Sequence, residues 1–158
     1  MSELDLSKNN LRSEGLSAVS EALKSTAIKQ LNIANNNLTY NQQNKKDMAG
    51  VIKFAEDMKD MGALSSLTFN GGKPEWSDGS GWVEGEVVTI DTHMVEANFS
   101  NKELGSTGAQ ILASFIGRKF FQDNGALSKL DIQNNVIDEE RKAEIQQTCD
   151  SKSITCLL

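Results

Sequence analysis

A single histidine limits the acid–base chemistry open to this 158-residue chain. His93 stands two residues after Asp91 and three before Glu96, a spacing at which an imidazole and carboxylates could share a metal ion or a proton. Alternation along an extended segment, however, sends Asp91 and His93 to one side and Glu96 to the other. No serine or cysteine lies beside them in a nucleophile motif. Cys149 falls in an apolar helix slot and reads as a small core residue, while Cys156 lies near Leu158 and gains reactivity from exposure alone. Gly79-Ser80-Gly81 and Gly71-Gly72 lack the lysine and following helix of a phosphate loop. Asp78-Gly79-Ser80 lacks the distal glutamate of a calcium loop. Asn37-Leu38-Thr39 and Asn98-Phe99-Ser100 are formal glycosylation sequons, but Asn98 falls in an expected strand and no secretory pattern precedes them. The expectation is no catalytic residue, no metal, no cofactor and no enzymatic activity.

Charge and hydropathy exclude further classes. Sixteen Lys and Arg against 22 Asp and Glu leave a net charge of −6, whereas a nucleic-acid surface needs a basic stripe to neutralise phosphates. No apolar run is long enough to cross a bilayer, and Met1-Ser2-Glu3-Leu4-Asp5-Leu6 has no basic-then-apolar leader. With two cysteines making no disulfide framework, a cytoplasmic protein is expected. The length fits a single domain, 1–158. Two compositional oddities stand out, 14 Asn and one Pro.

The elements that would position any site are set by an internal repeat. Met1, Leu4, Leu6, Asn9 and Leu11 recur as Ile28, Leu31, Ile33, Asn36 and Leu38, and again as Leu127, Leu130, Ile132, Asn135 and Ile137. Leu64, Leu67 and Phe69, then Met94, Ala97 and Phe99, make two weaker copies. Gly15, Val19 and Leu23 follow the first strand at the offsets at which Gly108, Leu112 and Ile116 follow the fourth, one helical face in each case. Ser13, Ser106 and Asp138 stand where N-caps would sit. Each unit therefore reads as a short strand, an Asn-bearing turn and an amphipathic helix.

This pattern resembles the leucine-rich repeat family, in particular its ribonuclease-inhibitor-like strand–helix class. The resemblance implies an α/β leucine-rich-repeat solenoid with one parallel sheet on the concave face and helices on the convex face. Repeats would fall near 1–27, 28–63, 64–93, 94–126 and 127–153, with 154–158 opening a sixth. It also implies a structural ladder of Asn9, Asn36 and Asn135, broken where the slot holds Gly72 and Lys102.

Two segments interrupt the period. Thr39 to Asp47 lengthens the loop before a helix over Met48–Lys59, whose apolar face is Val51, Phe54, Ala55 and Met58. Residues 70–92 replace a helix with turn residues and β-branched alternation, predicting a β-hairpin insert in the third repeat. Val87, Val88 and Ile90 would continue its second arm. Both ends read as uncapped, which predicts end-to-end packing in an assembly.

The partner-binding candidates follow from strand alternation. With Leu4 and Leu6 inward, Glu3, Asp5 and Ser7 face out, joined by Gln30 and Asn32, Ser66 and Thr68, Glu96 and Asn98, and Lys129, Asp131 and Gln133. Ala34, Asn70 and Ser100 belong to the same outward set. The ribbon is hydrogen-bonding and mildly acidic, suited to a basic or mixed protein surface. Trp76 and Trp82 of the insert either contact a partner or cover the gap left by the missing helix. The expected function is a non-enzymatic protein–protein interaction or scaffold module, a subunit or segment of a larger assembly. The alternative is a regulatory inhibitor or sensor that takes a basic protein partner in its acidic concave face.

Overall fold

The repeat anchors come together as paired strands. The computed structural model describes residues 2–74, 81–119, 121 and 126–158. Strands β1 (Glu3–Asp5), β2 (Gln30–Asn32) and β3 (Ser66–Phe69) pair in parallel, with Leu4 opposite Leu31 and Leu31 opposite Leu67. Strands β4 (Gly72–Pro74) and β5 (Trp82–Glu84) form an antiparallel pair of their own, and β6 (Val88–Asp91) returns antiparallel to β3. A second parallel set follows, β7 (Glu96–Asn98), β8 (Lys129–Asp131) and β9 (Thr155–Leu157), with Ala97 opposite Leu130 and Leu130 opposite Cys156.

The expected solenoid with one continuous parallel sheet is therefore overturned. The strands fall into three separate sheets, ordered β1-β2-β3-β6, β4-β5 and β7-β8-β9, in a mixed α/β arrangement. The physical cause lies in residues 70–92. Val88 and Ile90 are buried while Thr89 and Asp91 are half-exposed, a period of two that suits an edge strand with one wet face. That strand occupies the side of β3 that the next parallel strand would have taken. Val88 and Ile90 thus join the four-stranded sheet rather than the arm of a hairpin, and Val87 is exposed between them and β5.

Four helices are described: α1 (Arg12–Leu23), α2 (Ala49–Asp57, continued by a 3-10 turn Met58–Asp60), α3 (Gly105–Gly117) and α4 (Glu139–Ser151). Apolar residues one or two turns apart give each a buried stripe: Leu16 and Leu23, Val51 and Phe54 with Met58, Leu112 and Ile116, Ile145 and Cys149. These stripes and the strand residues Leu31, Leu67, Ile90, Ala97 and Leu130 make one contiguous core. Each large side chain buried there contributes about 1.5–3 kcal/mol.

Helix entry differs from the expectation at two of three sites. Asp138 is extended and accepts the Arg141 amide at 2.8 Å, a true N-cap for α4. Helices α1 and α3 begin two residues earlier than Ser13 and Ser106 as N-caps would set, and neither has a side-chain cap. The two serines instead reach the neighbouring helix. Ser13 Oγ accepts the Gly50 amide at 2.8 Å, and Ser106 Oγ accepts the Asp138 amide at 3.1 Å. Gly50 is required for the first contact, since a Cβ there would lie 2.2 Å from the Ser13 carbonyl oxygen.

Candidate functional site

Strand registry arranges the outward side chains in rows. Glu3, Gln30 and Ser66 form one row and Asp5, Asn32 and Thr68 the next, across β1, β2 and β3. Together they line a shallow groove of about 220 Å³. Strand β6 extends both rows. Asp91 lies opposite Ser66, and the hydroxyls of Thr68 and Thr89 share a hydrogen bond of 2.8 Å. The sequence reading missed Thr89 and Asp91 as face residues; their alternation with Val88 and Ile90 was the available signal. Glu96, Asn98, Lys129 and Asp131 occupy the separate β7-β8-β9 sheet, with Glu96 opposite Lys129 and Asn98 opposite Asp131. The expected ribbon is thus two patches on two sheets. Ala34 and Asn70, expected to face out, are buried.

Several of these residues also hold their own turns. Asp5 Oδ1 accepts the Ser7 amide at 2.8 Å, Asn32 that of Ala34 at 3.1 Å, and Asn98 that of Ser100 at 3.0 Å. Asp131 does the same for Gln133 at 3.1 Å, and Asp91 for His93 at 2.7 Å. A side-chain oxygen at the last strand position closes the chain reversal that follows it. The Ser7 contacts hold the Asp5 carboxyl below its ordinary value, so the first patch keeps its negative charge.

The asparagine ladder survives the splitting of the sheets. Asn36 Nδ2 donates to the carbonyls of Ile33 at 2.9 Å and of Leu6 in the preceding turn at 2.9 Å, while its Oδ1 accepts the Asn9 amide at 2.8 Å. Asn135 repeats the arrangement one sheet on. Its Nδ2 reaches the carbonyls of Ile132 and Phe99, each at 2.8 Å, and its Oδ1 accepts the amides of Lys102 and Leu104, each at 3.0 Å. At Lys102 the Asn135 rung is met by the backbone amide, while the side chain, in place of the asparagine's ladder bonds, reaches Glu86 at 2.5 Å. Asn9 bonds within its own turn through Nδ2, to the Leu6 carbonyl at 2.9 Å. At Gly72 the ladder changes as well. Buried Asn70 accepts the Asn35 amide at 2.9 Å and donates to the Gly85 carbonyl at 3.3 Å.

Of the two tryptophans, Trp76 lies outside the described residues. Trp82 is half-buried on β5, its ring against Gly72, and lines a cavity of about 550 Å³ beside α2, α3 and α4. His93 is exposed, its Nδ1 2.8 Å from Asp91 Oδ1, with Glu96 on the following strand. Among the described residues no three His, Cys, Asp or Glu side chains gather as a metal site would require. Cys149 is fully buried on α4 and hydrogen-bonded to half-buried Cys156 on β9; that contact and burial both raise the Cys149 thiol, while for Cys156 the contact lowers the thiol against the opposing effect of burial. No helix described is long and apolar enough to cross a membrane. No protein-family model, curated protein or solved structure matches the chain.

Proposed function

We propose that this chain is a non-enzymatic protein-interaction module that receives a basic segment of a partner protein on the polar face of β1, β2, β3 and β6. The observation that carries the reading is the groove itself. In-register strands gather Glu3, Asp5, Asn32, Gln30, Ser66 and Thr68 into one concavity without a basic side chain among its lining. Such a surface offers carboxylates to lysine or arginine and a row of short hydrogen-bonding groups to a peptide backbone. It lacks an aromatic anchor, the usual carrier of interface energy, so the interaction is of modest affinity, electrostatic and salt-sensitive. The module would act within a larger assembly, the second patch around Glu96, Asn98, Lys129, Asp131 and Gln133 contacting a further chain.

The reading is tested with a lysine- and arginine-rich decapeptide titrated into the ¹⁵N-labelled chain. Saturable shifts at Gln30, Asn32, Ser66 and Thr68 are expected, weakening steeply with added salt and lost in Asp5→Lys combined with Glu3→Lys. Shifts confined to other faces, or the same binding by the doubly substituted chain, would overturn it.

A further inference from the structure

The cavity beside Trp82 lies away from the strand groove and shares none of its lining residues. Its floor is the open end of α3. Gly105 takes a left-handed φ of 56° and its Cβ position is filled by the Gly72 carbonyl oxygen at 1.9 Å, so the helix begins abruptly and without a side-chain cap. The Gly105 amide is used, donating to the Asn135 carbonyl at 2.9 Å, and Gly108 closes the first turn onto Leu104. The amides of Ser106 and Thr107 have no hydrogen-bond partner among the described residues, and both residues line the cavity. A helix of 13 residues therefore presents its positive end and two free donors to an open space.

A second observation is independent of the helix end. Gln110 lines the same cavity one turn further along α3. It is 9% exposed, and its side-chain amide has no hydrogen-bond partner among the described residues. The carboxamide is not sealed off, since the fully buried unbonded side-chain atoms among the described residues are Thr39 Oγ1 and Arg118 Nη2, so a polar group entering the cavity can reach and bond it. Around these donors the wall is apolar, formed by Met48, Ile52, Trp82 and Ile137, and the rim carries the cations Lys46 and Arg141, the latter already paired with Glu144. One carboxylate is present, Asp138. It is already engaged by the Ser106 hydroxyl and the Arg141 amide, contacts that keep its carboxyl below the ordinary value. Val136 at the mouth is 72% exposed with a left-handed φ of 50°, a conformation costly for a β-branched side chain.

We infer that this cavity is a binding site for a small amphipathic organic acid, its carboxylate on the open end of α3 and Gln110, its apolar body against Met48, Ile52 and Trp82. Three neutral donors and the rim cation Lys46 match an oxyanion, the wall matches a hydrocarbon or ring, and about 550 Å³ admits a molecule of metabolite size.

The probes are octanoate, octan-1-ol and octylamine, titrated calorimetrically into the full chain, with octanoate also followed in ¹⁵N spectra. Octanoate is expected to bind at one site, shifting the Ser106 and Thr107 amides and the Gln110 side-chain resonances. The alcohol and the amine should bind at least about tenfold more weakly, since a hydrogen bond to a charged group is worth that factor or more. Gln110→Leu should cost octanoate a similar factor. Ile52→Glu, at an exposed rim position that leaves folding unaffected, should weaken octanoate and not octylamine. Equal affinity for alcohol and acid, shifts that bypass Ser106 and Thr107, or octanoate binding unchanged in both variants would overturn the assignment.

Discussion

Asparagine is the residue that shows most clearly what the chain was built for. Its abundance was visible in the composition, but its role was legible for three of the fourteen, those at the repeat slot. Six others, Asn10, Asn35, Asn37, Asn44, Asn101 and Asn134, take positive φ, a region their short polar side chains tolerate better than most. The turns between strand and helix depend on such residues, and Asn supplies the conformation with a local hydrogen bond. Val136 is the exception, holding the same backbone region with a β-branched side chain. Val136→Asn should raise the denaturation midpoint, by about 1 kcal/mol of stability in a urea titration. The ladder residues behave oppositely. Asn36→Ala strands the Asn9 and Leu11 amides and the Ile33 carbonyl and should cost about 3 kcal/mol, whereas exposed Asn9→Ala should cost under about 1 kcal/mol by the same measurement.

At the scale of elements, the helices were legible and the connecting strands were not. The apolar stripe of Val51, Phe54 and Met58 needs only the helical period to be seen, and all three are fully buried as that period requires. Strands do form at Gly72–Pro74, Trp82–Glu84 and Val88–Asp91, but alternation says nothing about which neighbour a strand will choose. Val88 and Ile90 bury equally well in a local hairpin or beside β3, and the pairing with β3 was decided by tertiary packing. Polar contacts between helices are likewise invisible to periodicity. Asp57 on α2 accepts from Ser20 of α1 at 2.7 Å, from Lys53 at 2.6 Å and, through Oδ1, from Lys24 at 2.9 Å. Burial by itself would raise this carboxyl; the two lysines and the serine outweigh it and hold the group well below its ordinary 3.8. A carboxyl whose folded value lies below its unfolded one stabilises the fold above pH 3.8, and that contribution fades as pH falls through the folded value. Asp57→Asn should therefore be less stable than the parent at neutral pH, with the gap narrowing as a series of urea titrations is carried below roughly pH 4. A gap independent of pH would show that the ion pairs contribute nothing.

For the whole molecule, the repeat predicted local registry correctly and overall continuity wrongly. Leu4, Leu31 and Leu67 stand in line, as do Ala97, Leu130 and Cys156, yet among the described residues no ladder joins β6 to β7. A repeat reports what each unit shares with the others, and the break was made by the residues that depart from it. The reversed strand has an effect on how the molecule comes apart. Ladder pairing carries cooperativity within each parallel set, but between them the link is the shared apolar core and a few isolated backbone bonds, Gly72 to Leu104, Glu86 to Lys102 and Ala126 to Thr92. Native-state hydrogen exchange should accordingly find two protected groups of strand amides, β1 to β3 and β7 to β9, whose opening energies separate at low denaturant. Mild stress would loosen one half while its neighbour keeps its shape, leaving a molecule that yields along a seam instead of all at once.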